Sequence, residues 1–291
     1  GEFGEGDAVV RVRTDMTLPN PALRDWPALR IQHSPHPMVG DRYRVWPLLD
    51  FQSAIEDHEQ GVTHIVRGKD LMDSTRKQTL LYEHLGWDYP ETLYWGRVKV
   101  HEFGGFSTSS MRSSIETGER EGWGDLRLPT IQSLRRRGFD PQALREFWIE
   151  LGVTQKDISI PMQTIESKNS SVLDAKTERR SFVASPILLE IEGIQGTVVE
   201  SPRHPDGGIK GTRKWTISDS IYIQKVDFEN VSLRLKEFAD ISISGSLAKI
   251  ESIERSDDRP IVQWLPKEVC CEANLYIPDG DEVNLVNGLL E

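Results

Sequence analysis

Three rhythms of apolar and polar positions follow one another along the chain. In the first, Val9-Val10-Arg11-Val12-Arg13 alternates as a half-exposed strand does. Turn-forming residues occupy 17–27, with Asn20-Pro21 as a breaker. Residues 28–31 and 62–66 predict short strands, and 43–51 is apolar enough for a buried one despite Pro47. A helical turn or two fits 53–59, ahead of Gly61. Asp70 suits the N-cap of a long helix through Leu85, where Gly86 stops it and Leu71, Leu80, Leu81 and Leu85 form the apolar face. Residues 92–100 are again strand-like.

From Ile131 the period becomes helical. One helix over 131–137 ends at Gly138. A second starts at Asp140-Pro141, proline being favoured at the first helical position, and carries Leu144, Phe147, Trp148 and Leu151 before Gly152. Beyond Ser185 short alternating runs take over, at 187–191, 196–200, 214–217, 220–226, 231–235, 240–243, 247–253, 261–265 and 273–277. Gly, Pro, Asn and Asp part many of them, and this spacing predicts an all-β sandwich or barrel. The fold class is therefore multidomain, α/β then α then β, with boundaries near residues 115 and 185.

Composition narrows the classes. A length of 291 residues with 37% hydrophobic content and eight Trp leaves room for about two domains. No stretch approaches the roughly 18 apolar residues of a membrane span, and residues 1–7 lack the basic and apolar regions of a signal peptide. Cys270 and Cys271 are adjacent, which disfavours a bridge between them, and there is no CxxC pair. A reduced, cytoplasmic setting is the simplest reading. Lys+Arg 35 against Asp+Glu 46 gives −11, and the acid-rich, arginine-rich balance is also compatible with adaptation to high salt. In bulk this charge disfavours a nucleic-acid binder, since phosphate neutralisation dominates such affinity. It leaves room for local basic faces, at Arg135-Arg136-Arg137 and at Arg203, His204, Lys210, Arg213 and Lys214, although solvated surface charge is the plainer reading of any one of them.

Two segments carry candidate chemistry. Thr63-His-Ile-Val-Arg67-Gly68 reads as a buried strand ending in an arginine, and Phe106-Ser-Thr-Ser-Ser-Met-Arg112 as a hydroxyl-rich loop after another strand. Loops at the carboxyl ends of neighbouring strands are where open α/β sheets hold ligands. The Arg67 guanidinium could grip a carboxylate by two charge-assisted hydrogen bonds, or close an internal salt bridge to Asp50 or Asp70. Ser107, Thr108, Ser109, Ser110, Ser113 and Ser114 offer donors to a triphosphate, Met111 an apolar anchor and Arg112 a positive charge; a plain surface loop has the same composition. His64 reads as a hydrogen-bonding strand residue. No Walker loop, GxGxxG, HExxH or zinc-spaced Cys/His set occurs, so no structural metal is expected.

Taken in order, the blocks Arg11-Val-Arg-Thr-Asp-Met16, Asn20-Pro-Ala-Leu-Arg-Asp-Trp26, Val45-Trp-Pro-Leu-Leu-Asp-Phe51, Gly61-Val-Thr-His-Ile-Val-Arg-Gly-Lys-Asp70, Phe106-Ser-Thr-Ser-Ser-Met-Arg112, Gly122-Trp-Gly-Asp-Leu-Arg-Leu-Pro-Thr130, Arg136-Arg-Gly138 and Leu233-Arg-Leu235 resemble the archaeal-type glutamyl-tRNA synthetases of class I. The resemblance spans nearly the whole chain. It implies a Rossmann-like catalytic domain split into two halves, of which the first would bear a HIGH signature; none occurs here. It further implies the end of an acceptor-stem insertion at 1–43, the second catalytic half with a KMSKS-like loop at 44–115, a helical stem-contact region at 116–185 and anticodon-binding β-barrels, incomplete, at 186–291. The chain is accordingly expected to be a C-terminal part of a longer, monomeric enzyme.

The resemblance also implies roles. Arg67 would meet the side-chain carboxylate of glutamate, and a neutral glutamine would offer it no countercharge. Leu49 stands where relatives often place a substrate-contacting tyrosine. Ser107, Thr108, Ser109, Ser110, Met111 and Arg112 match the loop that closes over ATP and its Mg²⁺, where a lysine would offset charge on pyrophosphate; both lysine positions lack it, leaving Arg112 as a substitute. Asp73 matches an acidic position that approaches the tRNA acceptor stem, and is equally readable as a helix-start carboxylate favoured by the macrodipole. Arg135, Arg136 and Arg137 are tRNA-contact candidates. The implied activity is ATP-dependent ligation of glutamate to tRNA(Glu) through glutamyl-adenylate, the fragment alone being inactive. The alternatives are a non-catalytic tRNA-binding module and a non-discriminating glutamyl/glutaminyl-type synthetase.

Overall fold

Proline and close backbone approach decide where the first strands stop. The computed structural model describes residues 2–291 other than 106, 175, 195, 207–208 and 256–257. Strands β1 (Val9–Arg11), β2 (Pro27–Ile31) and β3 (Val45–Pro47) form an antiparallel sheet in that order. The strand expected over 43–51 is thus cut short. Pro47 has no N–H to continue a ladder, and Leu48, extended at φ −85°, accepts from the N–H groups of Phe51 and Gln52 and starts α1 (Leu49–Glu59) instead. Next come β4 (His64–Gly68), α2 (Met72–Leu85) and β5 (Glu91–Trp95), with β4 and β5 parallel and Arg67 opposite Tyr94. Asp70 does not cap α2; it sits in a 3₁₀ turn, Lys69–Leu71, that leads into the helix. Gly86, at φ 70°, ends α2 in the left-handed conformation that favours glycine.

The strand expected over 92–100 breaks into β5 and β6 (Val98–Val100) at Gly96. There the Gly96 N–H donates to the Thr154 carbonyl (2.7 Å), and a Cβ would stand 2.2 Å from the Lys156 carbonyl oxygen. Four helices follow: α3 (Thr108–Glu116), α4 (Ile131–Arg136), α5 (Pro141–Leu151) and α6 (Met162–Asp174), with β7 (Ile158–Ile160) pairing with β6. α4 is capped by the Thr130 hydroxyl, which accepts from Ser133 N.

The remainder is β. Its strands are β8 (Phe182–Ala184), β9 (Pro186–Glu192), β10 (Thr197–Pro202), β11 (Thr212–Ile217), β12 (Ser220–Gln224), β13 (Ser232–Leu235), β14 (Asp240–Ser244), β15 (Leu247–Ser252), β16 (Ile261–Val262), β17 (Trp264–Pro266), β18 (Cys271–Asp279) and β19 (Glu282–Leu290). Seven make one mixed sheet in the order β16-β13-β14-β15-β9-β12-β17. Its two edge strands are joined by a single residue, Gln263. Leu189, Ile217, Ile221, Ile223, Leu233, Leu235 and Ile241 are fully buried in the core against it.

Two units emerge, one of 1–99 with 151–159, the other of 100–150 with 160–291. The first packs Trp26, Ala28, Ala54, Leu81 and Tyr82 between its antiparallel sheet and helices α1 and α2. Among the described residues no helix is long and apolar enough to cross a membrane.

Candidate functional site

In the first unit the feature that matters is Arg67, a cation that makes no ion pair among the described residues. Arg67 is half-buried, and its Nη1 donates to the Gln78 side-chain carbonyl (2.9 Å) and to Thr75 Oγ1 (3.3 Å). Both acceptors are neutral. Neither expected acid neutralises it: Asp50 pairs with Lys77 at 2.7 Å, and among the described residues Arg67 makes no ion pair. Asp57 senses the Arg67 charge through space, which offsets part of the burial that raises its carboxyl above the usual range. A guanidinium fixed by neutral groups keeps its charge available to an incoming anion.

The strand that carries it is not buried, contrary to expectation. Val66, Leu93 and Trp95 are exposed, although parallel strands ordinarily have both faces covered. The reason is the small sheet, for among the described residues β4 pairs only with β5. Leu49 opens α1 and is 63% exposed. His64 is exposed and lies 3.4 Å from Glu91.

The hydroxyl-rich segment, in the second unit, is a helix rather than a loop. Ser107 Oγ accepts from Ser110 N (3.1 Å), an N-cap that starts α3 at Thr108. Ser109 Oγ contacts Ser107 Oγ at 3.0 Å, and Ser114 folds its hydroxyl back on the Met111 carbonyl. Thr108, Ser109, Ser110 and Arg112 are exposed, Met111 half-buried; Phe106 lies outside the described residues. The segment is tied down on both sides. Ahead of it, the Glu102 carboxylate accepts from Met162 N (2.7 Å), which holds that carboxyl below its usual range. After it, the Arg120 side chain, 5% exposed, reaches Asp281 at 2.7 Å.

The three consecutive arginines part company. Arg135 is exposed, and Arg136 donates to the Gly124 carbonyl (2.7 Å). Arg137 is only 14% exposed, lying against the rings of Phe103 and Phe139 with Glu166 at 3.4 Å, and burial lowers its pKa. Asp73 accepts from Asn20 Nδ2 (2.9 Å) and pairs with Arg76 (3.3 Å), half-exposed in the first turn of α2. The arginine of Leu233-Arg-Leu235 is buried on Asp240 at 2.8 Å and serves the fold.

The second basic cluster is likewise reassigned. His204 is buried beside Asp174, Arg203 holds Glu178 and Lys214 holds Glu200. Arg213 alone of that group lines a cavity of about 220 Å³, joined there by Arg179, Arg180, Lys236, Trp215, Trp264 and the acidic Glu237, with Arg179 paired to Asp174 and Arg180 to Glu178. The Arg213 guanidinium lies 5.6 Å from the Trp215 ring centre and 3.0 Å from Glu291. Cations beside flat aromatic faces suit a base and its phosphate. Sequence reasoning missed Lys236, Trp215 and Trp264 because residues far apart along the chain converge only once the sheet forms. Gln78 was also missed, although a polar residue on the Leu81–Leu85 face of an otherwise amphipathic helix is a legible signal. Among the described residues no three His, Cys, Asp or Glu are placed to hold a metal ion.

Residues 1–175 match the model of tRNA synthetases class I (E and Q), catalytic domain, and 177–258 that of the anti-codon binding domain of the same group. The chain belongs to this class I family. Among its relatives are glutamate–tRNA ligases of Methanosarcina mazei, 44% identical over 97% of this chain and 51% of that protein, and of Methanothrix thermoacetophila, 47% identical over 92% and 49%. The glutamate–tRNA ligase of Pyrococcus abyssi is 41% identical over 100% of this chain and 53% of its own. The chain thus spans about half the length of the relatives it matches.

Proposed function

We propose that the chain works as part of a glutamate–tRNA ligase. The observation that carries this reading is Arg67, a half-buried guanidinium held by Gln78 and Thr75 and by no carboxylate among the described residues. It suits the side-chain carboxylate of glutamate. The α-carboxylate oxygen of glutamate attacks the α-phosphorus of ATP, and the bond to pyrophosphate breaks. The terminal ribose hydroxyl of the tRNA then attacks the acyl carbon, releasing AMP and a proton. ATP enters with Mg²⁺ as its substrate complex. On this reading Ser107, Thr108, Ser109, Ser110 and Arg112 face the phosphates, and the positive end of the α3 dipole favours anions. Catalysis is positioning and charge stabilisation.

The parallel pair β4–β5, open to solvent, supports a domain completed by further strands. The joining of the seven-stranded sheet's edges through Gln263 supports the barrel reading of 186–291. The isolated chain is then inactive in adenylate formation, and a cytoplasmic, monomeric parent enzyme fits. In the full-length ligase, Arg67→Ala should lower kcat/KM for glutamate by about 100-fold or more without impairing glutamine use. Unchanged glutamate use, or ATP–pyrophosphate exchange at an enzymatic rate by the isolated chain, would sink the respective part of the reading.

The Arg213–Lys236 cavity favours a second reading, a tRNA-binding module without chemistry of its own. It predicts salt-dependent tRNA binding and no exchange activity even when the catalytic partner half is supplied. Arg67 disfavours strict glutamine use and is compatible with charging two tRNAs with glutamate.

A further inference from the structure

One buried amide sets the direction of Arg67. Gln78 lies mid-way along α2 and is 1% exposed. A primary amide has two donor hydrogens and two acceptor lone pairs, and all four are engaged. Nε2 donates to the Asp50 carbonyl (3.1 Å) and to Ser53 Oγ (2.6 Å). Oε1 accepts from Arg67 Nη1 (2.9 Å) and Tyr89 Oη (2.7 Å). The Asp50 carbonyl can only accept and the guanidinium can only donate. Turning the amide over would therefore break both bonds, and its orientation is fixed by its partners.

This arrangement steers a cation without neutralising it. A carboxylate at position 78 would orient Arg67 equally well but cancel its charge. The neighbouring position shows the contrast: Lys77 carries its charge to Asp50 and is balanced there at 2.7 Å. Two successive α2 residues thus hold the first turn of α1, one by a compensated ion pair and one by a neutral bridge that ends on Arg67. Because Asp50 follows Leu49, the bridge also links Arg67 to the start of α1.

We propose that Gln78 is a positioning residue that sets the Arg67 guanidinium for an anionic amino-acid side chain and so determines the preference for a carboxylate over a carboxamide; this rests on the reading of Arg67 as the carboxylate receptor. The test is ATP–pyrophosphate exchange in the full-length ligase with glutamate and with glutamine, for wild type, Gln78→Glu, Gln78→Met and Arg67→Ala. Gln78→Glu should raise KM for glutamate by about 10- to 100-fold, leave kcat within about threefold and reduce the glutamate-to-glutamine ratio of kcat/KM by the same factor as KM rises. Gln78→Met should move KM and the ratio in the same direction.

A purely structural Gln78 would lower the melting temperature, or kcat for both amino acids alike, with the ratio unmoved; that result overturns the proposal. Should Gln78→Met fail to fold, the Ser53→Ala/Tyr89→Phe double variant removes one bond from each end of the amide, and an unmoved ratio in it overturns the proposal too. If Arg67→Ala retains wild-type kcat/KM for glutamate, the receptor reading falls and this inference with it. If Arg67→Ala loses glutamate use while Gln78→Glu keeps the wild-type ratio, the positioning inference alone falls.

Discussion

Asp125 and Arg127 close on each other through a two-pronged ion pair, with Nε on Oδ1 at 2.8 Å and Nη2 on Oδ2 at 2.6 Å. The Asp125 carboxylate is almost fully buried, and it also accepts from the N–H groups of Arg127 (3.0 Å) and Glu121 (3.1 Å). One side chain therefore organises the turn that joins α3 to α4, in which the fully buried Leu128 donates its N–H to the Asp125 carbonyl (3.0 Å).

The Arg127 side-chain bond holds the Asp125 carboxyl far below the usual carboxylate range, against burial, which pushes it up. A folded-state pKa below the unfolded one gives stabilisation that is complete above the ordinary carboxylate range and is lost as pH falls through the folded value. Asp125→Asn should cost about 2 kcal/mol at neutral pH. Its stability should also fall less than that of wild type between about pH 5 and pH 2. Urea titrations at both pH values check this; equal losses in the two proteins would mean that Asp125 does not carry the acid response.

Arg120 brings a long-range tie to the same region. Its side chain is buried, whereas its partner Asp281, at the tip of the β18–β19 hairpin, is exposed. Solvent screens the exposed partner, so Asp281→Ala should cost about 1 kcal/mol and less in high salt. Arg120→Ala should cost more, about 2 kcal/mol, because it removes packing as well as charge. A double-mutant cycle by thermal melting at low and high salt measures the coupling; a coupling unchanged by salt would argue against the ion pair.

Gly96 is a sharper case. A Cβ there would meet the backbone of Lys156 and Asp157, at 2.2 Å from the Lys156 carbonyl oxygen, and backbone cannot swing aside as a side chain can. Gly96→Ala should therefore destabilise by about 2 kcal/mol or more and loosen the 151–159 segment from β5. Thermal melting with hydrogen exchange at Gly96 and Ile158 checks both effects, and wild-type protection at both amides would refute the prediction.

Local signals are legible where one residue type imposes one geometry. Gly86 ends α2, Pro141 opens α5, and the alternating runs beyond Ser185 are the strands of the seven-stranded sheet and its neighbours. The serine-rich segment reads as a loop from its composition because hydroxyl-rich stretches are shared by loops and helix starts. What separates them is the S-x-x-S spacing by which Ser107 caps Ser110. β19 escapes a pattern reading because Asn284, Asn287 and Gly288 interrupt its apolar positions, and the strand is held by its partners β18 and β8. Arg67 stands out in the sequence as an arginine at a strand end. The neutrality of its partners is not legible there, since it depends on which of several nearby acids the fold directs elsewhere, and Asp50 is directed to Lys77.

The arginines of the second unit supply a test that separates nucleic-acid binding from packing. Lys236 is exposed beside Trp264 in the cavity that Arg180 and Arg213 also line, whereas Arg137 is enclosed by Phe103, Phe139 and Glu166. Removing a cation that neutralises one phosphate lowers the slope of log affinity against log salt by about 1. On the tRNA-binding reading proposed above, Lys236→Ala and Arg180→Ala should each weaken tRNA binding and flatten that slope by about 1, with melting temperatures near wild type. Arg137→Ala should lower the melting temperature, because it deletes about 1–2 kcal/mol of cation–ring and ion-pair attraction, and leave the salt slope unchanged. Filter binding across a salt series, with melting curves for each variant, distinguishes the two groups. A flattened slope in Arg137→Ala together with an unaltered one in Lys236→Ala would count against the cavity and assign the tRNA contacts of that reading to the helical region.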